Sequence, residues 1–360
     1  MFGTKEPTLR PLPPELRDWA DAVSSEVDPA QLRAEVESLP APRNRLHAPD
    51  AMAQADEMIL RGFRDAGWSA EAHAFEFRDA RGYLDYAQDG FPAGVVMKTY
   101  ERLAGANLVA VKEGESSRAA FVVGAHHDTL RDSPGADDNT ASVVALLELA
   151  RRLASYRFRD TLVLATFDME EINMFGSRSF VERFSREREI KGAVVFESMA
   201  YTSMTPNSQH LPQGIGLLYP GQVGRIKRRR SAGDWTLTVY RRSAAELARH
   251  FAEALAHIVG PEACILVRDP GDLPLIGRHM RSLVPAVKNF ARSDHVSFWN
   301  AGLPAVMVSD TANYRNPNYH QPTDTPETLD YERLAAIIAA TAAAVARSAG
   351  LLGRRPAHAF

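Results

Sequence analysis

The chain has 360 residues, 45% of them hydrophobic and 24% charged, and 42 Lys and Arg against 45 Asp and Glu leave a formal net charge of −3. This composition excludes a disordered chain, a collagen and a coiled coil, and the near balance of charge gives no electrostatic case for a nucleic-acid or acidic-membrane partner. A single cysteine, Cys264, forms no internal disulfide and rules out a Cys-rich zinc site, so any metal here is held by His, Asp and Glu.

At ~150 residues per domain the length suits one large α/β domain or about two smaller ones. Residues 1–30 hold five prolines and read as an arm or a short leading helix. They contain no apolar run of a secretory leader's length. No apolar stretch is long enough to cross a membrane; the nearest candidate, 334–352, carries Arg347. The default expectation is a cytoplasmic protein.

Residues 30–66 read as helical. Met52, Ala55, Met58, Ile59, Phe63 and Ala66 share one face, Pro49-Asp50 supplies a start and Gly67 a stop. From Asn107 short apolar runs alternate with helical patterns. The runs are 107–111, 119–124, 162–167, 193–196 and 305–308, with helices expected over 140–155 and 175–186. Continuous apolar runs separated by helices predict an α/β fold, a mostly parallel central sheet with helices on both faces. Residues 201–290 add a strand-like 235–240, a helix over 244–258 and a Gly/Pro-rich loop at 269–277. Arg225–Arg230 carries five cations in six residues. It reads as a solvated loop, with attraction of an acidic substrate group as the sharper alternative. Residues 331–352 read as a closing helix.

In parallel sheets ligands bind beyond the carboxyl ends of the strands, and chemistry-bearing residues gather at those points. His126-His127-Asp128 follows the run at 119–124. Asp137-Asp138-Asn139 opens the next helix. Glu170-Glu171 follows 162–167, Glu197 follows 193–196, and Tyr319-His320 comes after 305–308 and a loop. Singly, each has an ordinary explanation, such as a helix cap or a solvated helix start. Jointly, such His and carboxylate groups converging on one edge of a sheet suit divalent cations of the zinc type. Two His and three carboxylates exceed one open tetrahedral site and fit two metals sharing a bridging carboxylate. His127 faces away from His126 if strand alternation continues.

The ordered segments GAHHDT, PGADDNTAS, FDMEEINMFGS, SDHVSF and YHQPTDT resemble the co-catalytic di-zinc aminopeptidases, typified by aminopeptidase Y and bacterial leucyl aminopeptidases and related to glutamate carboxypeptidase II. The resemblance runs from about Arg43 to the C-terminus. It implies a single zinc-exopeptidase-like domain over 31–352, with 201–290 roofing the pocket, an arm over 1–30 and a tail over 353–360. It implies two zinc ions per chain: His126 and His320 on separate metals, Asp138 as the bridge, Glu171 and Glu197 completing the two sites. Asp128 would orient His126, Glu170 would be the general base, and Tyr319 would stand near the scissile carbonyl oxygen. Asp294 and His295 would lie by the substrate. The implied substrate is a peptide or a small-molecule amide, with no nucleic-acid or membrane partner; a non-peptide amide is the alternative, and a glutaminyl-cyclase-like or non-catalytic relative is less favoured because His126 is present. Glu197 stands where the family usually has Asp, and Asn173 where Gly is frequent.

Overall fold

The computed structural model describes residues 6–84, 96–115, 118–273, 275 and 277–354. The helices α1 (Pro14–Glu26), α2 (Pro29–Ser38) and α3 (Pro49–Asp65) lead into β1 (Ser69–Tyr83), β2 (Met97–Lys112) and β3 (Ala120–His126). Next come α4 (Ala141–Leu153), β4 (Tyr156–Phe158), β5 (Thr161–Phe167), α5 (Phe175–Glu187) and β6 (Ile190–Glu197). They are followed by α6 (Ile215–Leu218), α7 (Pro220–Arg228), β7 (Thr236–Tyr240), α8 (Ala245–Val259) and β8 (Cys264–Arg268). The chain closes with α9 (Gly277–Leu283), α10 (His295–Asn300), β9 (Ala305–Ser309), α11 (Tyr331–Ala349) and β10 (Leu351–Arg354).

The eight-stranded sheet has the order β1-β2-β5-β3-β6-β9-β7-β8. Its centre, β5-β3-β6-β9, is parallel. β2 joins β5 antiparallel, and β7 joins β9 antiparallel, bringing β8 with it. The sheet is therefore mostly parallel, with mixed margins. Strand alternation explains the continuous apolar runs. Phe121, Val123 and Ala125 of β3 pack with α1, α2, α4, α8 and α11 on one face. Ala120 and Val122 pack with α5, α7 and α10 on the other.

Several expectations need correction. Of the two readings of residues 1–30, arm or short leading helix, the helix is the one that forms: α1 buries Ala20 and Val23 in the main core. The helical reading of 30–66 divides into α2 and α3. The closing helix ends at Ala349, and β10 then pairs with β4; positions 355–360 of the expected tail lie outside the described residues. Segment 201–290 supplies the roof helices α6 and α7 but also β7 and β8, which extend the sheet. Arg225–Arg230 is the last turn of α7 and its exit rather than a free loop. Arg225 pairs with Glu6 at 2.7 Å and Glu262 at 3.1 Å, and Arg229 pairs with Asp234. Basic residues there also complement the helix C-terminus.

Candidate active site

β5 follows β3 on one side of it in the sheet, and β6 returns on the other. The crevice this reversal opens lies at the carboxyl end of β3, where His126 is the last strand residue. Its Nε2 lies 3.0 Å from Asp138 Oδ1 and 3.5 Å from Glu197 Oε2. On the other side of the same carboxylate, His320 Nε2 lies 3.1 Å from Asp138 Oδ2 and 3.5 Å from Glu171 Oε2. Asp138 thus faces a histidine with each oxygen. One donor set comes from β3 and β6, the other from the loop after β5 and the loop before α11.

The donor chemistry fits a metal of the zinc type. Ligand atoms around a tetrahedral zinc stand about 3.3–3.5 Å apart when each bond is ~2.0–2.2 Å, close to the spacings in both sets. His126 Nε2 and both Asp138 oxygens are buried without a hydrogen-bond partner, a costly state for polar atoms with no ligand to receive them. Burial opposes ionisation of Asp138, yet His126 and His320 hold its carboxyl below the usual carboxylate range. Glu170 and Glu171 shift the other way. Burial pushes both well up, with Glu197, Asp294 and Asp128 adding repulsion on Glu170, and Asp138 and Glu170 on Glu171. A concentration of carboxylates this dense calls for cations.

Asp128 organises the Glu170-Glu171 loop. Its Oδ1 accepts from the Glu170 N–H at 3.1 Å and its Oδ2 from the Glu171 N–H at 3.3 Å. His126 Nδ1 faces Asp128 O at 3.1 Å and Asp128 Oδ1 at 3.5 Å. Glu170 itself belongs to neither donor set. Tyr319 stacks on His320, ring centroids 3.9 Å apart, and its hydroxyl accepts from Arg292 Nη2 at 3.4 Å.

The SDH segment divides. Asp294 is fully buried, carries no hydrogen-bond partner on either oxygen, and is pushed up to about 7 by burial. It belongs to the acid cluster. His295 is held differently: Nε2 donates to the Phe290 carbonyl at 2.8 Å and the ring packs edge-on against Trp299. It holds Phe290, which lines the cleft, and does not face the cleft itself. His127 turns from the donor sets toward Asp56, 3.2 Å away.

Sequence reasoning missed the supports. Arg43 is fully buried. Its Nε donates to the His127 carbonyl and its Nη2 to Thr140 Oγ1 at 2.9 Å, tying β3's end to the Asp138 turn. Arg45 reaches Asp168 at 2.6 Å, and Asp168 also accepts from the Ala106 N–H of β2. Ser293 Oγ donates to Glu197 Oε2 at 2.7 Å. Asp324 accepts from the N–H groups of Asp137 and Asp138 at 3.0 and 3.2 Å. Asp324 and Ser293 sit in the YHQPTDT and SDHVSF segments, so their neighbours were a usable signal.

Beside the cluster runs a largely apolar cleft with about 870 Å³ of space between its walls, mouth included. Glu197, Arg292 and Tyr319 line it, whereas among the residues of the basic stretch only Ile226 does. Its cations therefore do not shape the pocket, and the acidic-substrate expectation loses its basis.

A model of peptidase family M28 matches residues 107–269 and 276–345. The chain belongs to peptidase family M28. As an M28 member it is a metal-dependent peptide hydrolase. The uncharacterized protein YfbL of Escherichia coli is 31% identical over 64% of this chain and 68% of its own length. Aminopeptidase YwaD of Bacillus subtilis is 30% identical over a shorter stretch, 29% of this chain and 23% of that protein. In fold, the aminopeptidase from Aneurinibacillus sp. strain AM-1 superposes with a TM-score of 0.63 at 16% identity, covering 94% of this chain and 98% of that one. The described residues of this M28 chain include no helix long and apolar enough to cross a membrane.

Proposed function

We propose that this M28 chain is an aminopeptidase using two zinc ions, one held by His126, Asp138 and Glu197, the other by Asp138, Glu171 and His320. The observation that carries the reading is Asp138 with a histidine 3.0–3.1 Å from each oxygen and a further carboxylate in each set. Zinc bound there supplies Lewis acidity and brings water's pKa toward neutrality.

The protein's own groups do the rest. Glu170, left out of both donor sets, takes a proton from the attacking water and delivers it to the leaving amine. Its backbone is fixed by Asp128, so its carboxylate is aimed before substrate arrives. Burial and the nearby Asp138 raise the Tyr319 phenol well above its usual pKa. It stays protonated and can donate to the carbonyl oxygen as negative charge develops. Residence in the cytoplasm belongs to the same proposal. An unpaired cysteine suits a reducing compartment, and cell fractionation tests it.

Elemental analysis of metal-replete protein is expected to find two zinc per chain. Asp138→Ala should empty both positions together. Glu170→Gln should keep fold and metal while kcat on aminoacyl substrates falls roughly 10²–10⁴-fold; Glu171→Gln should weaken metal binding instead. One metal or none, or a Glu170→Gln variant with normal kcat, overturns the reading.

A further inference from the structure

The cleft extends far beyond the metal-binding cluster. At one end stand Glu197 and Tyr319. From there the floor crosses Met307 on β9, Leu237 on β7 and Ile265 on β8. β6, which carries Glu197, is three strand steps from β8 in the sheet order. At ~4.7–4.9 Å per step the floor is about 14 Å long. Aromatic and long side chains bridge about 7–8 Å between strands, so one bound leucine or phenylalanine side chain leaves the far half of the floor uncovered.

The far half offers mostly apolar contact. The donors of its polar side chains are already committed to backbone carbonyls. Gln222 Nε2 donates to Leu266 O at 3.1 Å, Tyr219 Oη to Arg268 O at 2.6 Å, and Trp235 Nε1 to Ala232 O at 3.2 Å. The roof over it is Val223 and Ile226 of α7. A ligand there gains by removing hydrocarbon from water, in proportion to its length.

We propose that the residue on the acyl side of the scissile bond carries an apolar group longer than leucine, laid along the β9-β7-β8 floor. This deepens the aminopeptidase reading and rests on it for the position of the scissile bond.

The test uses zinc-loaded protein and 4-nitroanilides of alanine, norleucine, 2-aminooctanoate, 2-aminodecanoate and 2-aminododecanoate. Beyond norleucine kcat/KM should rise about three- to fourfold per methylene, continuing to at least the ten-carbon residue. Ile265→Phe on the floor and Val223→Phe on the roof should each cut the ratio of decanoyl to norleucyl rates at least tenfold, with thermal melting and metal content as folding controls. Calorimetry with the free amino acids runs in parallel. If no anilide is cleaved but affinity climbs with chain length, the long pocket stands and the aminopeptidase reading falls. If both rate and affinity peak at norleucine, the long-pocket inference is wrong and the aminopeptidase reading is untouched.

Discussion

Asp324 receives the backbone N–H groups of the residues that carry the candidate bridge, at 3.0 and 3.2 Å, from 187 and 186 positions away in sequence. Asp324→Ala would leave both buried donors unmet, a cost of about 1–3 kcal/mol each. It should also lower zinc affinity roughly 10–100-fold, read by competition with a chelator. Unchanged affinity would mean that the Asp138 turn holds its own shape. Cys264 gives a simpler check. It is buried, and burial pushes its thiol up to about 12, so it should ignore Ellman's reagent in the native protein and react as one thiol per chain in guanidinium. His126, Asp138, Glu170-Glu171 and His320 were legible because each sits in a short segment dense in His or carboxylate that follows a strand directly or after a loop. Arg43, Arg45 and Asp324 were not, because each acts through a partner dozens to nearly two hundred positions away. His295 shares its segment with Asp294, but its Nε2 is given to a backbone carbonyl.

Among the elements, β1 and the first half of β2 escaped sequence reading, and only the run at 107–111 marked the end of β2. Of β1, only His73 and Gly82 are buried, so no apolar alternation marks it. Yet Phe75 and Phe77 of β1 pack around Met169, Ile172 and Phe175, which flank the two glutamates. The hairpin braces the loop that carries the chemistry. The Asp138 turn depends in its own way on Gly135. This residue has φ +63°, and a Cβ there would lie 2.3 Å from Asp138 O and 2.6 Å from Thr129 Cγ2. Gly135→Ala should therefore displace Asp138 and lower metal content in protein that still melts cooperatively. The contact between α8 and α11 predicts a pH response. His250 on α8 meets Ser348 Oγ at 3.0 Å, and burial, with Arg347 and Arg249, lowers its pKa to about 4. The unfolded chain takes up this proton near pH 6.5 and the folded one only near 4. Stability from this site is therefore complete above about 6.5 and lost as pH falls toward 4. After discounting for partial exposure the loss is about 1–2 kcal/mol. Guanidinium melts at pH 7.5 and 4.5 should show a smaller drop for His250→Gln than for the unsubstituted protein. Equal drops would assign the acid sensitivity elsewhere.

At the scale of the molecule, the parallel centre of the sheet was readable from its apolar runs, while its margins were read only in part: 235–240 marked β7 and 107–111 the end of β2, but β1 and β8 were not read. Those margins and the centre carry different duties. Every candidate metal donor comes from the parallel strands β3 and β6 or from loops beyond β3, β5 and β9, and none from β7, β8, α6 or α7. The distal walls of the cleft come from β7, β8, α6 and α7. Mutation therefore meets two separate targets in one gene. Drift among Val223, Leu237 and Ile265 can carry the enzyme from one clientele of substrates to another without passing through an inactive ancestor. Drift at the donors offers no such gradual path. A library confined to those wall positions should yield catalysts of altered taste at high frequency, and the same mutational load placed on the strand ends should yield mostly dead ones.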